Sequence, residues 1–442
     1  MTKPLKLGLA GLGTVGSSLF GLIARESEAL ATRAGRPIEV AAVCARSRGR
    51  NRGIDISAAT WHDDPVDLAL DPEVDLFVEL MGGEGGAAEA SVRAALGAGK
   101  PVVTANKALL ARHGVDLAGL AEQKGVALGY EAAVAGGIPI IKAMRESLSG
   151  NRISRVYGIL NGTCNYILTR MEKEGLSFDA CLAEAQRLGY AEADPTFDVD
   201  GFDTAHKLSI LTSLAFGTKI DAEAVYVEGI RAITIADIEA ADELGYRIKL
   251  LGVARRTETG IEQRVHPTMV PKSSAVARTD GVLNAVAVDG DLVGEVVLVG
   301  PGAGGDATAS SVIADVVDIA RGQRLPVFGR PVARLADYVQ SDMHAHEGGY
   351  YVRLTVLDRP GAFAAIAARM AENGISLESI VQRRRKPRTD APASAVPDDP
   401  QPVILVTYAT TEDQIRAALD AIEADGHIAA PPRLIRIEEL SK

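Results

Sequence analysis

Residues 188–207, LGYAEADPTFDVDGFDTAHK, crowd five carboxylates (Glu192, Asp194, Asp198, Asp200 and Asp203) into twelve positions and close on His206 and Lys207. Three chemistries are open to such a run. A calcium loop fails, because the ligand spacing and the terminal glutamate of an EF-hand are both missing. A solvated loop is the second: Asp194-Pro195 is a turn signal, and Asp200 could cap a helix beginning at Gly201. The third is an active site. Asp203 and Lys207 are i,i+4 and share a helical face, and a lysine among carboxylates can pass a proton while the acids bind a cationic group.

A second motif precedes it. Gly11-Leu12-Gly13-Thr14-Val15-Gly16 follows a short apolar strand, residues 5–10, and opens a helical pattern. In that position GxGxxG is the dinucleotide fingerprint: the glycines allow a tight turn, and the helix N-terminus receives a pyrophosphate. A purely structural turn is the alternative. The acid expected on the ribose is absent, and Ala45-Arg46-Ser47-Arg48-Gly49-Arg50-Asn51-Arg52 stands at the end of the second strand. A guanidinium at Arg46 suits a 2′-phosphate, so NADP is expected over NAD unless these arginines form only a solvated loop. In a dehydrogenase the two motifs make a workable constellation, since hydride moves at a nicotinamide and another group must protonate oxygen; the solvated loop stays open on residue types alone.

The elements that must position these residues are legible in outline. Strand patterns at 5–10, 38–45, 74–80, 101–106 and 126–130 alternate with helical ones, which implies a Rossmann-type, doubly wound parallel α/β sheet. After about residue 135 the pattern becomes α+β, with helices near 162–174, 178–188, 202–216 and 235–243. Residues 300–322 read as a glycine-rich turn feeding one helix, 330–348 as a linker, and 386–402 as a polar, mobile hairpin extension. Residues 350–442 follow the order β-α-β-β-α-β. The expected domains are 1–135 for the nucleotide, completed by 305–340; 136–304 for catalysis and dimerisation; and 350–442 as a small ferredoxin-like unit.

Bulk properties narrow the partners. The formal net charge of −11 argues against nucleic acid or an anionic membrane as main partner, and no apolar run reaches the ~18 residues of a span. The N-terminal segment runs straight into a strand, so no signal peptide is expected. Cys44, Cys164 and Cys181 have neither disulfide nor zinc spacing. A reduced, cytoplasmic protein is expected.

The segment from Ala185 to Lys207, A-x-x-x-G-Y-A-E-x-D-P-x-x-D-x-x-G-x-D-x-x-x-K, closely resembles the signature of homoserine dehydrogenases. Val103-Thr104-Ala105-Asn106-Lys107, the block Tyr130–Pro139 and Gly158–Leu168 resemble that family's other blocks, in its order. The resemblance covers about residues 5–340. It implies reversible, NAD(P)H-dependent reduction of L-aspartate 4-semialdehyde to L-homoserine. Lys207 would then be the proton donor, Glu192 and Asp203 would hold the substrate ammonium, and Lys107 would stand at the cofactor–substrate boundary. To the glycine loop and Arg46, read above from the residues themselves, it adds expected cofactor contacts from Thr104, Lys107, Gly189, Glu192 and Gly304. A monovalent cation, Na⁺, would be held by Glu131, Val134, Gly136 and Ile138. The remaining acids, Asp194 and Asp198, would shape the loop.

Leu357-Asp358-Arg359-Pro360-Gly361, the Ala-rich helix after it and Asn373-Gly374-Ile375 resemble the ACT domain, a regulatory fold that binds amino acids where two copies pair. The likeness implies an effector site at Asp358 and Gly361, with L-threonine the first ligand to test, and a homodimer or homotetramer. A purely structural dimerisation unit is the alternative. Two rival functions remain: an acylating dehydrogenase with Cys164 as nucleophile, and a non-catalytic NADP-sensing regulator.

Overall fold

The computed structural model describes residues 2–341, 347–357, 359–382 and 400–438. Strands β1 (Leu5–Ala10), β2 (Ile38–Cys44), β3 (Thr60–His62), β4 (Leu76–Glu79), β5 (Val102–Thr104) and β6 (Leu128–Gly129) form a parallel sheet in the order β3-β2-β1-β4-β5-β6. Both faces of β1 are buried: Leu5, Leu7 and Leu9 enter one core, and Ala10 enters the other. This is why the strand reads as a continuous apolar run. The order reverses between β1 and β4, and the crevice beyond their carboxyl ends is where such sheets bind ligands. The three-residue β3 carries Trp61 and His62, too short a run to register as a strand in sequence.

The helix after β5 spans Lys107–Lys124 and begins earlier than the apolar periodicity alone suggests. Asn106 starts it: its side chain accepts from the Leu109 N–H at 3.0 Å, a cap that sets Lys107 at the first helical position.

The second sheet is mixed. It runs through β7 (Ile153–Ile159), β8 (Tyr226–Val227), β9 (Tyr246–Arg256), β10 (Ile261–Pro271), β11 (Leu283–Gly290) and β12 (Gly294–Pro301). It continues without a break into β13 (Glu347–Leu357), β14 (Leu377–Gln382), β15 (Pro400–Thr407), β16 (Thr410–Thr411) and β17 (Ile428–Ile437). The order β17-β13-β15-β14, with helices Ala362–Glu372 and Glu412–Ala424, is the ferredoxin-like ACT arrangement. The fold is therefore a Rossmann-like parallel sheet, a mixed-sheet catalytic unit and a C-terminal ACT unit. The ACT sheet joins the catalytic one edge to edge: β17 pairs with β10 at Thr268↔Arg436 and Met269↔Ile437.

Two expectations change here. The segment read as a linker is held along the catalytic unit, since Ala336 exchanges backbone bonds with Gly217 and Lys219, and Ser341 donates to Ile261. Its last residues, Glu347 and Gly348, already belong to β13. Likewise Pro400–Pro402 are not loop but the start of β15. They lie opposite Leu357–Thr355 and beyond the reach of β14, whose pairing begins at Val403. Proline is tolerated where no ladder partner needs its missing N–H. Residues 386–399, the rest of the expected extension, lie outside the described residues, as does Asp358.

Candidate active site

The glycine loop sits at the sheet's reversal point. A Cβ on Gly11 would lie 2.5 Å from the Leu80 carbonyl oxygen, and one on Gly16 would lie 2.0 Å from that of Gly11. Neither position admits a side chain. Gly13, in contrast, faces open space. It starts the helix Thr14–Arg25, whose first turn has neither a side-chain cap nor an acidic residue. Leu12 and Val15 flank this turn. The chain thus leaves its first helical N–H groups to a ligand, and backbone can approach that ligand closely. A dinucleotide fits on those grounds. A second helix, Gly305–Ala320, starts beside the first: a Cβ on Gly305 would meet Ser18 and Thr14, and Gly304 is its N-terminal boundary.

Other sequence-singled positions surround this loop with different duties. Thr104 is buried and donates to Glu79 at 2.6 Å, while Glu79 accepts from the N–H groups of Met81 and Gly82. Its hydroxyl therefore braces the loop after β4. Arg46 is exposed just beyond β2. Arg52 ties that basic loop to the glycine loop, donating to the Leu12 carbonyl at 3.2 Å, and lies with Arg48 beside Trp61. Gly189 closes the helix Phe178–Arg187 through a bond to Gln186 and is exposed.

The acidic run meets its lysines at the end of β7. Lys207 is 8% exposed and Asp203 3%. The Lys207 ammonium donates to Asp203 Oδ2 at 2.7 Å and to the Leu160 carbonyl at 2.7 Å. Lys107, from the other sheet's helix, reaches Asp203 Oδ1 at 2.9 Å. One aspartate thus bridges two lysines brought from different domains. Asn161 donates to Asp198 at 2.8 Å and to Asp203 at 2.9 Å. His206 stands edge-on to Phe197, and Lys107 lies over that same ring at 5.9 Å.

The run divides residue by residue, and two expectations about it change, those for Asp198 and Asp200. Glu192 is exposed, and only its backbone carbonyl is held, by Gln186; the lysine cluster forms without it. Asp198, read as a loop-shaping residue, is the second carboxylate of the cluster. Asp200 does not cap the helix Phe202–Phe216: Gly201 takes that position at φ +94°, and the Asp200 carboxylate pairs with Arg231 at 2.5 Å. Asp194 keeps its turn, accepting from the Thr196 N–H. Asn161 and Asp198 were missed because both have local uses, as a helix cap and a loop acid, that hide their convergence.

Burial governs the charges. It pushes the Lys207 ammonium below its ordinary value, with Lys107 adding to the shift and Asp203 opposing it. Burial also works to lower Lys107, but Asp203 outweighs it and the group ends above its usual value. Asp203 is buried too, yet the two ammoniums hold it well below the usual carboxylate range. Asp198 is raised, by burial first and by Asp203 second. Cys164 is raised well above a normal thiol by burial and by the same aspartates. A thiolate nucleophile has no support there.

In the segment proposed for a cation, Glu131 is buried and accepts from the N–H groups of Ile141 and Lys142, each at 2.8 Å. Burial and Asp315 push its carboxyl up to about 7. Val134 is buried, and the Gly136 carbonyl accepts from Ser311 at 2.6 Å and that of Ile138 from the Ile140 N–H. Ala135, at φ +56°, is the single non-glycine residue with positive φ among the described residues. No group of three or more histidine, cysteine or acidic side chains that could hold a metal occurs among the described residues.

A dinucleotide fold whose crevice borders a buried, lysine-bridged aspartate defines the class: a nicotinamide-dependent oxidoreductase. Known proteins narrow it. Residues 11–131 match the homoserine dehydrogenase NAD-binding domain, 139–317 the homoserine dehydrogenase catalytic family and 350–427 the ACT domain. The homoserine dehydrogenase of Pseudomonas aeruginosa is 47% identical, over 99% of this chain and 100% of its own. That of Neisseria gonorrhoeae is 45% identical, with 99% of both chains covered. The crystal structure of a homoserine dehydrogenase from Thiobacillus denitrificans superposes with a TM-score of 0.92 at 44% identity, covering 99% of each chain. A hyperthermophilic archaeal homoserine dehydrogenase in complex with NADPH gives 0.60 at 28% identity, covering 72% of this chain and 97% of its own. The chain belongs to the homoserine dehydrogenase family. No helix among the described residues is long and apolar enough to cross a membrane.

Proposed function

We propose that this protein interconverts L-aspartate 4-semialdehyde and L-homoserine with NADP(H), on the way to threonine and methionine, and that Lys207 is its acid–base group. The lysine-bridged Asp203 carries the reading. A lysine ammonium has three N–H donors. Asp203 and Leu160 take two from Lys207, which leaves one to aim at a substrate oxygen. When bound at the glycine loop, the reduced nicotinamide supplies the hydride. Lys207 then gives its proton to the oxygen at which negative charge develops, and in the reverse direction it removes the hydroxyl proton.

Burial makes the second task easier, because a depressed pKa brings the neutral amine within reach. The sign follows: aldehyde reduction, which needs the protonated lysine, declines as pH rises through the depressed value, and homoserine oxidation gains over the same range. Asp203 has lysine or Asn161 donors on both oxygens, so it holds the two ammoniums in place. The substrate's own ammonium falls to Asp198 by geometry and to Glu192 by family likeness. Lys107, anchored once, retains donors for the cofactor–substrate boundary.

Arg46 takes the 2′-phosphate in this reading, with NAD a weaker alternative, and Gly189 and Gly304 border the cofactor. A Na⁺ ion at Glu131, Val134, Gly136 and Ile138 is supported by the buried carboxylate, which a cation would stabilise in its charged form. The ACT unit is the regulatory one. Gly361 starts the helix Ala362–Glu372 without a side-chain cap or an acidic first turn, which suits an amino-acid carboxylate, and L-threonine is the proposed effector. Pairing of two ACT units makes the protein a dimer or tetramer. The proposed functional domains are 1–135, completed by the helix Gly305–Ala320, then 136–304, along which the segment from Ala336 to Ser341 lies, and 350–442.

One assay tests the core: L-homoserine should reduce NADP⁺, followed at the nicotinamide absorbance, faster than it reduces NAD⁺, and millimolar threonine should slow it. Absence of NADP⁺ or NAD⁺ reduction overturns the enzyme assignment. Indifference to threonine removes only the effector.

A further inference from the structure

Asn161 lies two residues past the end of β7 and caps the helix Gly162–Glu174: its Oδ1 accepts from the Cys164 N–H at 2.8 Å. That bond fixes which end of the amide is which. Both Nδ2 hydrogens are therefore directed at carboxylates, one to Asp198 Oδ1 at 2.8 Å and one to Asp203 Oδ2 at 2.9 Å. The residue before it, Leu160, supplies the carbonyl that holds Lys207. Two successive residues in the turn after β7 thus grip the lysine and the two acids around it. Asn161 is itself buried. No other side chain bridges Asp198 to Asp203 among the described hydrogen bonds.

We propose that Asn161 is a positioning residue for the reaction: its amide spans Asp198 and Asp203, holds them at a fixed separation, and so aims Lys207 and keeps both acids ionised at working pH. The inference rests on the lysine-centred reading above. Two carboxylates side by side away from water repel, and one of them takes up a proton unless donors intervene. Asp203 has its lysines. Asp198 faces Asp203, Lys207 and Lys107, and on the helix Gly162–Glu174 it faces the Cys164 thiol, which donates to its backbone carbonyl at 3.2 Å. His206 lies beyond the Phe197 ring, and Asp200 is turned away to Arg231. Of these neighbours only Asn161 donates directly to the Asp198 side chain in the described contacts.

Two substitutions separate positioning from capping. Asn161→Ser keeps an oxygen that caps well but is too short to reach the acids. Its thermal midpoint and NADP⁺ affinity should stay near wild type. Its kcat/KM for homoserine should fall about 10- to 100-fold, the scale of a small misplacement of catalytic groups, and the acid limb of the pH profile for aldehyde reduction, the direction in which Lys207 works protonated, should move upward by about one pH unit. Asn161→Asp keeps the cap and turns the donor into a third acid, so its acid limb should move further. An acid limb that stays in place in Asn161→Ser, with activity either unchanged or lowered evenly at every pH, overturns the proposal. The Lys207→Ala variant, run alongside, distinguishes the two readings: wild-type kcat there sinks the lysine mechanism itself.

Discussion

At the end of β7 two lysines face two aspartates. At the junction of β10 with β17, two arginines face four glutamates. Arg264, 1% exposed, pairs with Glu262 and Glu438. Arg436 holds Glu412 at 2.8 and 2.5 Å and Glu228 at 3.2 Å. Both clusters are buried, so both lose hydration that only good partners can restore. Their ionic chemistry differs. Burial pushes the Glu412 carboxyl up, but Arg436 and Arg416 outweigh it and hold it below its usual value, and a guanidinium does not release its proton in a protein. In the lysine cluster the same burial moves Lys207 down and Asp198 up, toward each other. In one cluster every arginine is paired with glutamates at hydrogen-bond distance. In the other, burial draws the pKa of an amine and that of an acid toward each other, and lysine is the residue whose charge can move.

The largest effect should come from breaking the arginine cluster. Arg264→Met leaves two buried glutamates short of a donor, and denaturant unfolding should show a loss of about 3–5 kcal/mol, with kcat per folded enzyme unchanged. Arg264→Lys keeps the charge but replaces a planar fork with a point donor, so it should recover only part of that loss. A lysine variant as stable as wild type would show that geometry is irrelevant at the seam. The same contacts bear on truncation: removing residues after 345 would take away Glu438 and Arg436, along with Arg353, which pairs with buried Asp237 at 2.7 Å. The shortened chain should lose stability, not simply effector response.

Next in size is the lysine site. Lys207→Ala should lower kcat by ~10²-fold or more, the usual scale for a general acid–base group, with a smaller stability loss than in Arg264→Met, because Lys107 and Asn161 still donate to Asp203. Lys207→Arg sharpens the contrast. It preserves the charge beside Asp203 yet cannot act as a base, so its kcat should fall as far as in the alanine variant. An arginine variant retaining a tenth of wild-type kcat would show that Lys207 acts only as a fixed charge.

Much of this was legible in the chain. The helix Phe202–Phe216 lies between Gly201 and Gly217, and its bounds and the Asp203–Lys207 spacing follow from local signals. GxGxxG declares its role because the fingerprint, the strand and the helix are contiguous. What sequence could not carry is convergence across distance. Lys107 and Asp203 meet from two domains, and Asp198 rather than Glu192 joins them because the short helix Thr196–Val199 turns one acid inward and leaves the other in solvent. Nor could the seam be read: two residues of β17 pair with β10, and a two-residue parallel contact has no periodicity to reveal it. Asp200 shows the limit of local rules, since a good cap residue found a better partner in Arg231.

The smallest expected effect concerns a third use of cationic side chains, at the surface. Arg52 is spent on backbone carbonyls, and Arg48 shares the Trp61 face with it, whereas Arg46 has no described side-chain bond and lies exposed beyond β2. Neither seam nor active-site logic applies to it: an exposed cation has no buried partner to stabilise, so its choice lies between a ligand and solvent. If that ligand is the 2′-phosphate, Arg46→Ala should raise KM for NADP⁺ about tenfold, the worth of one charge-assisted hydrogen bond of about 1.4 kcal/mol, and leave KM for NAD⁺ and the thermal midpoint unchanged. Added salt should shrink the NADP⁺ difference, because exposed pairs are screened. Equal changes for the two cofactors would place Arg46 among solvated surface charges and pass the task to Arg48 or Arg50.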